Sequence, residues 1–163
     1  MLIRPARRED AALAASLIYE VLPSDVAAKL LGRLDRDRAL AIATQLVASR
    51  WGRWSHRQIW VAEVGGEPAG IFLGFPGADG GWLDLGFAWN LTRLTGWRAI
   101  GRLARFEWAL WRSGSVEFTA AEFYIDSLAV LPQFRGQGIG SALLMAAERQ
   151  AEAHGLGRCS LFV

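Results

Sequence analysis

The sequence predicts an α/β (α+β) fold, and two stretches support that prediction. Residues 122–163 follow the pattern of strand, glycine-rich turn, helix and strand. The apolar run Phe123–Val130 is rich in aromatic and branched residues and stops at Leu131-Pro132, as a largely buried strand does. Upstream, 59–64 and 69–75 are strand-like runs joined by Gly65-Gly66-Glu67-Pro68, a pattern typical of a hairpin.

The first fifty residues contain a short opening strand and three helical stretches. Pro5 places the strand at 2–6 at an edge or a start of the sheet. Small polar and acidic residues favour helix starts, because their side chains can accept hydrogen bonds from the first backbone N–H groups. The candidate starts are Asp10, then Ser24 or Asp25, then Asp35 or Asp37.

Length and composition fit one compact domain. The chain has 163 residues, 52% hydrophobic and 21% charged, which excludes a disordered chain and allows a sizeable core. A net charge of +2 without a Lys/Arg tract argues against a nucleic-acid partner. The aromatic and basic residues at 50–57 fit packing, or a loop over a substrate cleft, better. One cysteine, no signal-peptide pattern and no apolar stretch of about 18 residues predict a cytoplasmic protein without a membrane span.

The turn before the helix of residues 141–154 reads Arg135-Gly136-Gln137-Gly138-Ile139-Gly140. Alternate glycines leave backbone N–H groups accessible, and a helix N-terminus adds unpaired donors and a partial positive charge. The turn is therefore a candidate phosphate or pyrophosphate site. Its G-x-G-x-G spacing excludes the dinucleotide fingerprint, and Ser141-Ala142 after the last glycine excludes a Walker loop. The alternative is a glycine-rich turn that binds nothing.

The turn and its flanks resemble the GNAT superfamily of N-acetyltransferases. Arg135, Gly138 and Gly140 fit that family's motif [Q/R]-x-x-G-x-[G/A], and SLAVLPQFRGQGIGSALL is similar to its strand four, pyrophosphate loop and helix three. The strong resemblance covers residues 122–163. It implies a mixed, mostly antiparallel central sheet, flanked by helices and splayed at strands four and five, in a single domain over 1–163.

The resemblance also implies acetyl transfer from acetyl-CoA, as co-substrate, to a primary amine of a small molecule or peptide. No zinc spacing is present in the sequence, so no metal ion is expected. In the family, the pantetheine arm pairs with strand four, and a backbone N–H near Leu128 would polarise the thioester oxygen. The diphosphate would lie on the turn. The resemblance therefore implies that the cofactor is bound by Leu128, Ala129, Val130, Arg135, Gly136, Gln137, Gly138, Ile139, Gly140 and Ser141. For Arg135 the alternative is a surface arginine.

The general base is expected on strand four, where the family often has an acidic residue. Strand alternation places Glu122, Tyr124 and Asp126 on one face, unless a bulge after Asp126 changes the parity. Either carboxylate could accept the amine proton directly or through water. Asp126 is preferred because it lies closer to the expected thioester position, and a purely structural role is the alternative. Tyr124 would line the acceptor pocket or pack.

Residues 80–121 form an insertion where the family has a short turn, and they include five tryptophans. Residues 98–112 predict an amphipathic helix. Its apolar side would hold Ile100, Leu103, Ala104, Trp108 and Trp111, and its other side Arg98, Arg102, Arg105 and Arg112. Three interpretations remain open. The first is extra cover for the core, the second a substrate-specific wall or lid, and the third a dimer or membrane-surface contact.

The chain ends within an expected fifth strand at 158–163, whereas the family continues with a helix and two more strands. Either a C-terminal part is missing, or the protein is short, or a second chain supplies the cover as a homodimer. His56 and His154 are far apart in the sequence and in the predicted elements, so neither looks like half of a metal site. His154 is expected at a helix C-terminus, where it would interact favourably with the helix dipole. Cys159 is expected to be a buried small residue.

Three functions remain open at this stage. The first is an acetyl-CoA-dependent N-acetyltransferase. The second is a non-catalytic CoA-binding module, and the third an interaction protein dominated by the tryptophan-rich insertion. Nothing in the residues distinguishes one amine acceptor from another.

Overall fold

The computed structural model describes residues 1–113 and 119–161, without the side chains at 107, 109–111 and 113. Its sheet has the strand order β1-β2-β3-β4-β5, in which β1 to β4 are antiparallel and β5 runs parallel to β4. The strands are β1 Leu2–Pro5, β2 Ile59–Val64, β3 Glu67–Pro76, β4 Phe123–Val130 and β5 Cys159–Leu161. The helices are α1 Ala11–Val21, α2 Ser24–Leu30, α3 Arg36–Ala48, α4 Gly80–Thr95, α5 Arg98–Ser113 and α6 Ile139–Ala153. The predicted mixed, mostly antiparallel sheet flanked by helices is confirmed.

Alternation along β3 separates the core into two layers. Ile71, Leu73 and Phe75 are fully buried against α1, α3 and α4, while Phe72 is buried on the opposite face with α6. The Phe72 ring stacks on Trp60, with ring centroids 4.7 Å apart. Full burial of such side chains contributes about 1.5–3 kcal/mol each, so the alternation itself sets which face each helix covers.

The predicted hairpin and the helix after the glycine turn are both present. Gly65 and Gly66 join β2 to β3 with positive φ values of 61° and 87°. Helix α6 begins at Ile139, two residues before the expected start at Ser141. The helix ends at Ala153 and the predicted glycine, Gly155, follows its cap residue; φ is 70° there, and the Gly155 N–H donates to the Glu152 carbonyl at 2.9 Å.

The N-terminal helices start where expected, but Asp10 does not cap α1. Its carboxylate accepts hydrogen bonds from the Arg4 guanidinium at 2.8 Å and from the Arg7 backbone N–H at 2.6 Å. Burial pushes the pKa of Asp10 upwards, but the two donors together outweigh burial and hold it below its usual range. At α3 the prediction is confirmed, because Asp35 accepts a hydrogen bond from the Arg38 N–H at 2.9 Å.

The insertion forms two helices, α4 and α5, where one was predicted. The 98–112 helix is confirmed as α5, but its packing face differs from the expected one. Ala99 is fully buried and Leu103 is half-buried against the core, whereas Ile100 and Trp108 are more than half exposed. Arg102 lies close to Gly32, and its guanidinium donates to the Leu31 carbonyl at 3.4 Å. The side chain of Trp111 lies outside the described residues.

Two smaller expectations about the C-terminal region differ in outcome. Cys159 is exposed, so the expected burial is wrong. Partial desolvation, reinforced by the carboxylate of Glu148, raises the pKa of its thiol. His154 lies at the C-terminus of α6, and its Nδ1 is 2.8 Å from the Gln150 carbonyl. Among the helices that the structure describes, none combines the length and apolar character needed to cross a membrane.

Candidate functional site

The turn at 135–140 is open on the side that a ligand would approach. Gly136 and Gly138 have φ values of 77° and 76°, in the left-handed region that favours glycine. A Cβ built on either residue would have no other heavy atom within 4 Å. Gly140 is nearly as open, since its nearest neighbour would be the Val130 Cγ2 at 3.9 Å. At Gly136 and Gly138, therefore, no side chain of the described residues occupies the space that a Cβ would enter.

The same turn places the start of α6 directly after the open backbone. The Ala142 N–H donates to the Gly138 carbonyl at 3.0 Å, so the N–H groups of Ile139, Gly140 and Ser141 precede this first helical bond. Those donors and the positive end of the helix dipole fit an anion such as a diphosphate. Arg135 adds charge at the mouth of the turn. Its Nε donates to the Val130 carbonyl at 3.1 Å, and its guanidinium forms an exposed ion pair with Glu20 at 3.3 Å.

The end of β4 leads into this turn. Leu128, Ala129 and Val130 are paired on one side with β3, opposite Phe72, Ile71 and Gly70. In the part of the chain that the structure describes, β5 pairs with β4 only from Phe123↔Cys159 to Ile125↔Leu161. The backbone edge of 128–130 that faces away from β3 therefore lies beyond the described end of β5, and no described strand pairs with it. An extended chain of a ligand could add to that edge as a strand does.

A bulge in β4 brings two polar side chains to one face. The register of β3 against β4 shifts between Leu73, opposite Ser127, and Gly74, opposite Ile125, so Asp126 is the extra residue of β4 at this point. Asp126 and Ser127 therefore both line the same cavity, together with Tyr124. The Ser127 hydroxyl donates to the Asp126 carboxylate at 3.2 Å. The structure thus contains the bulge after Asp126 that the sequence left open.

Arg53 connects two carboxylates at this end of the cavity. Its Nε donates to Asp126 Oδ1 at 2.8 Å, and its Nη1 lies 3.3 Å from Asp84 Oδ1. The side chains of Arg53 and Asp126 are each only 13% exposed, so solvent screens their ion pair less than a surface pair. The guanidinium also lies over the rings of Tyr124 and Phe75, 5.4 and 5.6 Å from their centroids.

The cavity has a volume of about 580 Å³ and is walled by apolar side chains from distant parts of the chain. The α1–α2 corner contributes Leu22 and Val26, α4 contributes Leu85, and α5 contributes Leu103 and Phe106. The inserted helices therefore form one wall, which agrees with the second of the three interpretations. The segment 50–57 also lines it, through Arg53 and the buried Trp54.

Glu122, the second candidate base, lies apart from this polar cluster. It is half-buried just before β4, does not line the cavity, and accepts a hydrogen bond from the Thr119 N–H at 2.5 Å. Its backbone carbonyl accepts from the Gly77 N–H at 2.8 Å. These contacts fit a residue that closes the turn preceding β4.

Sequence analysis missed Arg53 and Asp84 as members of the site. Asp84 did carry a signal, because it is the only charged residue in the stretch 80–92. Arg53 lay in a segment whose position relative to β4 cannot be read from local pattern. Within the described residues, no group of three or more His, Cys, Asp or Glu side chains is arranged to hold a metal ion.

Comparison with known families agrees with the geometry of the turn. The model of the acetyltransferase (GNAT) family matches residues 30–163. The chain belongs to this family. No curated protein sequence gives a significant match to it.

Solved structures of acetyltransferases have the same fold. The chain is 27% identical to a crystal structure described as an acetyltransferase, with a TM-score of 0.74 over 100% of this chain and 80% of that one. It is 25% identical to an N-acetyltransferase from Staphylococcus aureus Mu50, with a TM-score of 0.67 over 92% of this chain and 76% of that one. A diaminobutyrate acetyltransferase from Paenibacillus lautus, solved with 2,4-diaminobutyric acid and coenzyme A, is 15% identical. Its TM-score of 0.51, over 99% of this chain and 64% of that one, shows the fold alone.

Proposed function

We propose that this GNAT protein is an N-acetyltransferase that uses acetyl-CoA as co-substrate and acetylates a primary amine by direct attack. The observation that carries the proposal is the open turn at Gly136, Gly138 and Gly140, which continues from β4 into the N-terminus of α6. An open backbone of this kind at a helix start suits a diphosphate. The polar cluster at Asp126 lies on the same strand and faces a cavity of a size that suits a small acceptor.

The cofactor assignments divide between the strand and the turn. Leu128, Ala129 and Val130 would pair with the pantetheine arm, because β3 occupies only one edge of that stretch. The Leu128 N–H would donate to the thioester oxygen. Residues 135–141 would hold the diphosphate through main-chain N–H groups, and the Arg135 guanidinium, now on Glu20, is exposed and can turn towards it.

Asp126 is the carboxylate we assign to the amine. Its oxygens accept from Arg53 and Ser127, and a carboxylate has about four acceptor positions, so the amine can be held as well. The role of Asp126 is to orient the amine and receive its proton directly or through water. Glu122 remains the second candidate, and its position outside the cavity, with its carboxylate bonded to the Thr119 N–H, makes it a weaker one.

We also propose that residues 1–163 act as one domain. The walls of the cavity come from α1, α2, α4, α5 and β4, so the inserted helices share the site with the rest of the chain.

The test is a kinetic assay of free CoA thiol, with a panel of primary amines and acetyl-CoA. Calorimetry of acetyl-CoA binding accompanies it. Binding together with amine-dependent thiol release is the expected result. Binding without release for any amine would instead indicate a CoA-binding module, and no binding would remove the basis of the proposal.

A further inference from the structure

The two ends of the cavity differ in charge. At the β4 end, the carboxylates of Asp84 and Asp126 both contact the guanidinium of Arg53, so the described side chains here include two carboxylates and one guanidinium. Arg53 is held by both carboxylates and by the aromatic rings beneath it, so it is not available to bind an acidic group. This end therefore favours a cation such as an alkylammonium.

The rest of the cavity offers little to a second polar group. Its walls are aliphatic and aromatic, with Leu22, Val26, Leu85, Leu103 and Phe106 among them. A volume of about 580 Å³ lies within the range of about 300–1,000 Å³ that small-ligand pockets span. A ligand that fills it must place an apolar body against these walls, since a buried polar group without a partner is costly.

Lys29 is the other charged residue on the described lining, and it is engaged elsewhere. Its ammonium lies 2.9 Å from the Asp25 carboxylate, one helical turn earlier in α2, and both side chains are more than half exposed. An exposed pair of this kind is weak, so recruitment of Lys29 by an acidic substrate is the main alternative to be tested.

From these observations we infer that the acceptor is an apolar primary monoamine, with its ammonium group at Asp126 and an alkyl or aryl body against the α2, α4 and α5 walls. This inference rests on the proposed acetyl transfer and narrows its acceptor. It predicts a lower kcat/KM for polyamines, acidic amines and small polar amines than for an amine with an uncharged body of about six carbons.

Four amines that differ in one feature each test the inference: ethylamine, hexylamine, 1,6-diaminohexane and 6-aminohexanoate. Burial contributes about fourfold per methylene, so we expect kcat/KM for hexylamine to exceed that for ethylamine by on the order of 100-fold. A second ammonium or a carboxylate at the far end is expected to lower kcat/KM about tenfold or more below hexylamine. Equal rates for ethylamine and hexylamine, or a preference for the diamine or the acid, would overturn the inference.

Wall variants show whether the preference arises in this cavity. Leu85→Ser changes a side chain that is 55% exposed, so the fold is expected to tolerate it, and Phe106→Ala removes more of the wall. Each is expected to lower the hexylamine-to-ethylamine ratio of kcat/KM, by roughly threefold and tenfold respectively. Trp97→Ala is the matched control, because Trp97 is 77% exposed and lies outside the cavity lining. A ratio that falls equally in the control would contradict the assignment.

Failure of the inference and failure of the proposed function give different results. If another class of amine is acetylated best, the acyltransferase stands and the inference is overturned. If no amine is acetylated, the proposed function fails, and calorimetry of hexylamine with the CoA-saturated protein decides the inference. Binding of hexylamine that Phe106→Ala weakens would support the site, whereas absence of binding would overturn it.

Discussion

The substitution Gly138→Ala isolates the contribution of the open turn, because it adds one methyl group where the protein itself leaves room. Gly138 has a φ of 76°, and a Cβ at this position would meet nothing within 4 Å, so the fold suffers no clash. In the proposed complex, the added methyl group would instead compete with a phosphate for the open space at this turn. A phosphate there would lose close contact with those donors.

The size of the effect follows from two separate terms. An alanine in the left-handed region costs roughly 1–2 kcal/mol of folding stability, which lowers Tm by about 2–8 °C in a chain of this length. Loss of one hydrogen bond to a charged phosphate costs about 1.5–3 kcal/mol, which corresponds to a Kd for acetyl-CoA raised about 10- to 100-fold.

Gly65→Ala provides the matched control. Gly65, in the β2–β3 turn, has a φ of 61° and equally open space, so the stability cost is expected to be the same while acetyl-CoA affinity is retained. Calorimetry gives Kd, and thermal unfolding gives Tm, for the wild type and both variants. Unchanged affinity in Gly138→Ala, or equal loss in Gly65→Ala, would refute the role of the turn.

Three further predictions concern side chains. Asp126→Asn is expected to lower kcat/KM for amine acetylation by about 100-fold, measured by thiol release, while acetyl-CoA still binds; full activity would remove Asp126 from the mechanism. Arg4→Met leaves the buried Asp10 carboxylate without its guanidinium partner, and should lower the free energy of unfolding by about 3 kcal/mol in urea titration. A change below about 0.5 kcal/mol would contradict a stabilising role for the ion pairs of Arg4 with Asp10 and Glu63. Because the pKa of Asp10 is lower in the folded chain than in the unfolded one, its stabilisation is complete above the unfolded pKa, near 3.8, and is lost as the pH falls through the folded value. Urea titrations between pH 6 and about pH 2 should therefore show a steeper loss for the wild type than for Asp10→Asn, and parallel curves would refute this.

The sequence predicted the cofactor side of the site far better than the acceptor side. The turn at 135–140 is a local feature, in which glycine spacing, strand and helix follow one another within a few residues, so its backbone can be anticipated. Even there, α6 begins at Ile139 because the left-handed Gly138 supplies the N-terminal cap position. The backbone of this turn can therefore be predicted from residues that are neighbours in the sequence.

The acceptor side depends on contacts between distant segments. Arg53 reaches Asp126 because Gly52 allows the segment to approach α4 closely, where a Cβ would lie 2.9 Å from the Phe87 backbone nitrogen. Asp126 and Ser127 share a face only because of the bulge opposite Leu73 and Gly74. Neither contact leaves a periodic signal, and the outward face of α5 was predicted wrongly for the same reason.

The central claim is that the main chain of 138–141 holds the diphosphate of the co-substrate. A crystal structure of the protein with CoA tests it most directly. The account predicts diphosphate oxygens about 2.7–3.2 Å from the backbone nitrogens at the start of α6, with the pantetheine arm beside 128–130. A diphosphate bound elsewhere on the protein, with this turn left in contact with solvent, would contradict it.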